Sequence, residues 1–142
     1  MVTALEQAGV HVSSYGPGWP NGPIGADLVA TVFAQSRIIL GVGTIAHNAS
    51  VYTLKLRDFD APMAGALYIT HRNPDLARLY TEGVEIECYE DTAELVQKVK
   101  YYLAHPAQRI GVAARGRARA LRDHTWDKRL AELFAVLRGG AA

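Results

Sequence analysis

KLRDFDAPMAGALYIT, residues 55–70, decides the fold. Its second half is a small-residue turn, Ala64 and Gly65, that runs straight into the uninterrupted apolar stretch Ala66, Leu67, Tyr68, Ile69. A short apolar run without alternation is the mark of a strand buried on both faces, as in a parallel sheet. Its first half predicts a short helix over residues 59–65, preceded by Lys55 and Arg57 and carrying the acids Asp58 and Asp60. Helix, tight turn and buried strand together make the repeating unit of an α/β domain.

The same grammar extends in both directions. Upstream, residues 2–8 read as a helix closed by Gly9, and the alternating, β-branched residues 10–15 as a strand. The segment GPGWPNGPIG, residues 16–25, holds four Gly and three Pro and is the one long loop. A helix follows over 27–35, with Leu28, Val29, Val32 and Phe33 on one face, then a buried strand around Ile38, Ile39 and Leu40. Residues 44–58 give mixed signals, and a helical turn over 46–53 is the expectation there. Downstream, Asn73 and Pro74 predict a helix start running to Tyr80, and residues 85–89 a strand. Asp91 and Glu94 resemble a capping box that opens a helix to Ala104. Pro106 starts another to about Arg122, and Thr125 caps a last one to about Leu137. The expected fold is α/β: a Rossmann-like parallel sheet with flanking helices and an all-helical C-terminal tail, in a single domain over residues 1–142.

Bulk properties narrow the function classes. Hydrophobic residues make up 49% of 142 and charged residues 20%, a globular composition. Fifteen basic against 14 acidic residues leave a formal charge of +1, which argues against a dedicated nucleic-acid partner. Cys88 is the single cysteine, so an intrachain disulfide and a Cys-cluster metal site are excluded, and a reducing, cytoplasmic setting is expected. No apolar run reaches the ~18–20 residues of a membrane span, and residues 1–10 lack the features of a secretory signal.

In an open α/β sheet, ligands bind outside the carboxyl ends of the strands. That rule selects the loop after Tyr15, the segment Gly41-Val42-Gly43-Thr44, and residues 70–73 with His71. The amino end of the helix over 59–65 offers free N–H groups to an anion. Lys55 and Arg57 add a point charge and a planar fork suited to phosphate, and Asp60 can accept from ribose hydroxyls. Read from composition alone, two cations and two acids in six residues more often form a self-neutralising solvated patch. Gly41-Val42-Gly43 is not a dinucleotide fingerprint. His47, His71 and His124 show no metal-ligand spacing, His105 reads as a helix-end residue and His11 as a strand surface position. The basic run RGRARALR, residues 115–122, reads as a solvated face, Tyr101 or Tyr102 as core, and Trp126 as the anchor of the last helix. Leu130, Leu133, Phe134 and Leu137 form an apolar stripe there, so self-association is expected.

Three blocks, RDFDAPMAGALYITHRNPDL, EIECYEDTAELVQKVKYYLAHPAQR and RALRDHTWDKR, with YGPGWPNGPI at residues 15–24, resemble the C-terminal half of the CgeB-like glycosyltransferases. The resemblance runs from about Leu5 to Leu137. It implies the GT-B architecture, in which this half binds a nucleoside diphosphate sugar, with no metal required. Relatives place two Glu residues, with seven residues between them, ahead of the small-residue turn. Aligned on Gly65, the second falls on Asp60 and the first on Tyr52, which departs from the pattern. The implied donor contacts are Lys55 and Arg57 to the diphosphate, Asp60 to the ribose, Gly65 and Ala66 at the turn, Tyr15 or Trp19 near the base, and Gly43 and His71 at the strand ends. The resemblance names no catalytic base. It further implies a missing N-terminal half and a missing first strand, so that residues 1–142 read as part of an enzyme, inactive alone. The rival expectation is a nucleotide-binding or interaction module of the same fold without catalysis.

Overall fold

The computed structural model describes residues 1–45 and 48–139, with the side chains of 48–50 outside the description. Three parallel strands form the sheet: β1 (Ile38–Leu40), β4 (Leu67–His71) and β5 (Glu87–Tyr89), in the order β1-β4-β5. Ile39 pairs with Tyr68, and Thr70 with Cys88. β4 is central, and Leu67 to Thr70 are buried on both sides, as their unbroken apolar character requires. The α/β, Rossmann-like expectation is met.

Two cores flank the sheet because β4 alternates between them. On one face Leu67 and Ile69 meet Leu5 of α1 (Val2–Gln7) and Leu95, Val99 and Tyr102 of α4 (Thr92–Ala104). On the other, Tyr68 meets Ile39, Ala61 of α3 (Arg57–Ala64), Leu76 and Tyr80, with Phe33 of α2 (Ala26–Gln35) packed at its margin. Helix α5 (Pro106–Asp123) serves both, with Val112 and Ala113 in the first core and Ala120 in the second. Three arginines fasten α5 through Nε: Arg115 donates to the Val84 carbonyl (2.8 Å), Arg117 to Met63 (3.1 Å) and Arg119 to Leu79 (3.0 Å). The basic run keeps the solvated face expected of it, with Arg115, Arg117 and Arg122 exposed, while three of its arginines also fasten the helix. At Gly116 a Cβ would stand 2.1 Å from the Glu85 carbonyl oxygen, so helix and loop touch through backbone alone.

Other expectations need correction. Residues 10–15 alternate in burial, and Val10 and Val12 pack on the first core, yet the segment joins no ladder. Alternation reports a half-buried extended chain, and a strand also needs a backbone partner. The helical turn expected over 46–53 is an antiparallel hairpin, β2 (Thr44–Ile45) with β3 (Asn48–Tyr52). Thr44, Ile45, Val51 and Tyr52 are strand-favouring residues, so propensity prevails there. The part of that expectation on residues 46 and 47, with the His47 reading, lies outside the described residues.

Asn73 does accept from Asp75 N (3.0 Å), but it starts only a 3-10 turn at Leu76–Arg78. Asp91 caps α4 by accepting from Glu94 N (2.8 Å), while Glu94 accepts from Glu90 N (2.8 Å), one residue before the cap. Trp126 is 69% exposed and does not anchor α6 (Trp126–Gly139). Arg129 does so instead, its guanidinium 5.3 Å from the Phe59 ring centre. His105, between α4 and α5, sits at a helix end as expected.

Candidate functional site

The carboxyl ends of β1 and β4 meet at Gly41, whose N–H donates to the Ile69 carbonyl (2.8 Å). A Cβ there would lie 2.1 Å from the Tyr68 hydroxyl and 2.3 Å from Thr70 Oγ1, so only glycine fits. The Gly41 carbonyl accepts from the Tyr89 hydroxyl (2.8 Å), which ties the third strand into the same corner. Gly43 follows, and a methyl on it would press on His71 and the Tyr52 ring.

His71 stands between two aromatic rings, 4.4 Å from Tyr89 and 6.2 Å from Tyr52. Its Nδ1 is buried with no partner among the described residues. Burial holds its pKa below the ordinary imidazole value, which favours the neutral ring. The residue at the departing position, Tyr52, thus packs beside Gly43 and His71.

Helix α3 points its amino end at this corner. Asp58, in its first turn, is 4% exposed and accepts from the Tyr68 hydroxyl (2.6 Å) and from Lys55 N (2.6 Å). Tyr68 is correspondingly hard to ionise, through burial first and the neighbouring Asp58 second. Asp58 fixes where α3 starts relative to the sheet. The Lys55 ammonium reaches back to the hairpin, donating to the Thr44 carbonyl (3.1 Å) and to Thr53 Oγ1 (3.3 Å). Arg57 is exposed at the first position of α3 and makes no hydrogen bond or ion pair among the described residues. Asp60 is exposed as a residue, while its surroundings desolvate the carboxyl enough to raise its pKa above the usual value.

The structure therefore gathers Gly43, His71 and Lys55 around one strand-end corner, with Arg57 and Asp60 on the first turn of α3, whose Asp58 bonds Tyr68. It does not bring the remaining candidates there. Gly65 is the left-handed cap of α3 (φ 88°), and Ala66 directly follows, both at the opposite end of β4 from His71. Tyr15 lines a separate cavity of about 330 Å³ with Ile24, Leu28 and Val32. Trp19 is 46% exposed within a loop closed by the Gly16 N–H to Gly22 carbonyl bond (2.7 Å).

Asp58 and Tyr68 are the pair that sequence reading missed. The signal was available: Asp58, Ala61 and Pro62 stand at i, i+3 and i+4, and all three are buried. Reading DFD as two equivalent acids hid which of them faced inward.

Among the described residues, no helix is long and apolar enough to cross a membrane. No curated protein matches this chain. The profile of the glycosyl transferase-like family matches residues 1–135. With nearly all of its 142 residues matched, the chain belongs to the glycosyl transferase-like family.

Proposed function

We propose that this chain is the donor-binding half of a GT-B glycosyltransferase of the CgeB-like type, taking a nucleoside diphosphate sugar at the corner formed by β1, β4 and α3. The observation that carries the reading is Arg57, unpaired among the described residues at the amino end of α3, on the same turn as the desolvated Asp60. A cation at the positive end of a helix dipole neutralises a diphosphate as it leaves, so no metal is required for that step. Lys55 contributes through its fixed charge rather than a free ammonium, because its donors already serve the hairpin. His71, neutral and lacking a partner on Nδ1, is suited to a hydrogen bond with a donor hydroxyl.

A thermal-shift and calorimetry panel of UDP, GDP, ADP and TDP tests this. One nucleotide raises the melting temperature, and Arg57→Ala abolishes the effect. No shift with any of the four overturns the reading. Tyr52 in place of the first acid favours a second reading, a module that binds the nucleotide without transferring sugar. Donor hydrolysis or sugar transfer by the purified chain overturns that second reading.

A further inference from the structure

We propose that the cavity between the 3-10 turn, the end of α5 and the start of α6 is a second anion site, which takes a phosphate group. The cavity, about 420 Å³, is lined by Arg78, Arg119, Arg122, Lys128 and Arg129. Only two acids, Asp123 and Glu132, share its wall, so the local balance is three positive (five minus two) where the whole chain carries +1. Such a concentration in one concavity creates a field for a multivalent anion.

The cations are arranged rather than merely crowded. Asp123 accepts from Arg122 Nε (2.9 Å) and Nη2 (2.8 Å) and pairs with Arg119 Nε at 3.1 Å, which sets both forks. Arg119 also binds the Leu79 carbonyl through Nε, leaving its terminal amino groups for a ligand. Lys128 makes no ion pair among the described residues. Arg78 pairs with Asp75 at 3.6 Å and Arg129 with Glu132 at 3.5 Å, so the terminal groups of Arg119 and the Lys128 ammonium are the donors left to meet phosphate oxygens.

A second observation points the same way. His124, on the wall of the cavity, is 7% exposed. Its Nε2 lies 3.1 Å from the Leu79 carbonyl and so carries the hydrogen, while Nδ1 is buried without a partner among the described residues. Nδ1 is then an open acceptor, which the P–OH of a singly protonated phosphate or a bridging water would complete. None of Lys55, Arg57, Asp60 and His71 lines this cavity, so it is distinct from the proposed donor site.

The phosphate can belong to a free small molecule or to a lipid headgroup, since α6, which lends Lys128 and Arg129 to the cavity, also carries exposed apolar side chains. The test is titration of inorganic pyrophosphate into the 142-residue chain at constant ionic strength, read by calorimetry, with sedimentation against vesicles as the second arm. With the donor corner disabled by Arg57→Ala, saturable pyrophosphate binding is still expected, weakened about tenfold or more when Arg122→Glu and Lys128→Glu are added. Circular dichroism checks the fold of the double variant, and Lys128→Gln alone, with a smaller loss, serves if it fails to fold. Sedimentation with phosphatidic acid vesicles but not phosphatidylcholine vesicles, lost in Lys128→Glu, assigns the phosphate to a headgroup. Pyrophosphate binding without vesicle binding assigns it to a soluble compound. Absence of both, or binding lost in Arg57→Ala and retained in the double variant, overturns the second site and leaves the donor-site reading to its own panel.

Discussion

Replacing Tyr68 with Phe removes a single oxygen from the most enclosed polar contact of the domain. Its hydroxyl donates to Asp58 at 2.6 Å, and the acid is 4% exposed, so water does not replace the lost donor. Asp58 keeps one described bond, from Lys55 N. A hydrogen bond to a charged group contributes about 1.5–3 kcal/mol, and leaving the acceptor unsatisfied places Tyr68→Phe in that range. At about 2.1 cal/mol/K per residue, 142 residues give an unfolding entropy near 300 cal/mol/K, hence a melting temperature lower by about 5–10 °C. The assay is thermal and urea unfolding of wild type, Tyr68→Phe, Asp58→Ala and the double variant. The double variant is less destabilised than the sum of the singles, by about 1–3 kcal/mol, because both singles break one contact. Strict additivity, or a Tyr68→Phe midpoint within about 1 °C of wild type, refutes the role given to Asp58.

Gly116→Ala sets a methyl against the Glu85 carbonyl and destabilises by about 1–3 kcal/mol, whereas Gly111→Ala, whose nearest neighbour is the flexible Arg115 end at 3.5 Å, stabilises by up to about 1 kcal/mol; equal effects in urea unfolding contradict the contact. Arg72 bonds Glu82 and Glu90, and Lys98 pairs with Glu82, Glu87 and Glu94; Glu82 is held below the ordinary Glu value by Arg72 first, and Glu94 by the Glu90 N–H first and Lys98 after it. Their stabilisation is therefore full above the unfolded Glu pKa and is lost as pH falls through the lowered folded values. Urea midpoints should drop on acidification below about pH 4.3, and Glu82→Gln should flatten that drop. His71 is likewise lowered, here by burial, so its neutral form supports the fold above the unfolded imidazole value and this is lost as pH falls below it; an imidazole titrating by NMR at or above 6.5 contradicts the buried placement. The exposed stripe Leu130, Leu133, Phe134 and Leu137 gives concentration-dependent self-association in light scattering, reduced by Phe134→Asp; a clean monomer at high concentration refutes it.

What could be read from the residues was set by local physics. Ile38 to Leu40 and Leu67 to Ile69 announce strands because a strand buried on both faces has no polar position to alternate with. Asp91 announces α4 because its carboxylate bonds a neighbouring N–H. Residues 10–15 and the hairpin over 44–52 escaped because both depend on which backbone lies alongside, information that no short window holds. At the site, Arg57 and His71 follow from the strand-end rule, while the division of labour between Asp58 and Asp60 depends on the rotational phase of α3. That phase is fixed by Tyr68, ten residues on.

The arginines that fasten α5 accept a further consequence. Arg115 and Arg117 direct Nε to neutral carbonyls, and Arg119 shares its Nε between the Leu79 carbonyl and the Asp123 carboxylate. Such clasps are short-ranged charge–dipole contacts, over which a mobile ion atmosphere has little leverage. Raising sodium chloride should leave the seating of α5 nearly untouched while it loosens the Arg72 cluster, so salt separates two modes of fastening within one small domain. Lysine cannot replace these residues, since an ammonium lacks the side-on Nε donor. Three arginines of a solvent-facing basic run thus also fasten their helix to the rest of the domain.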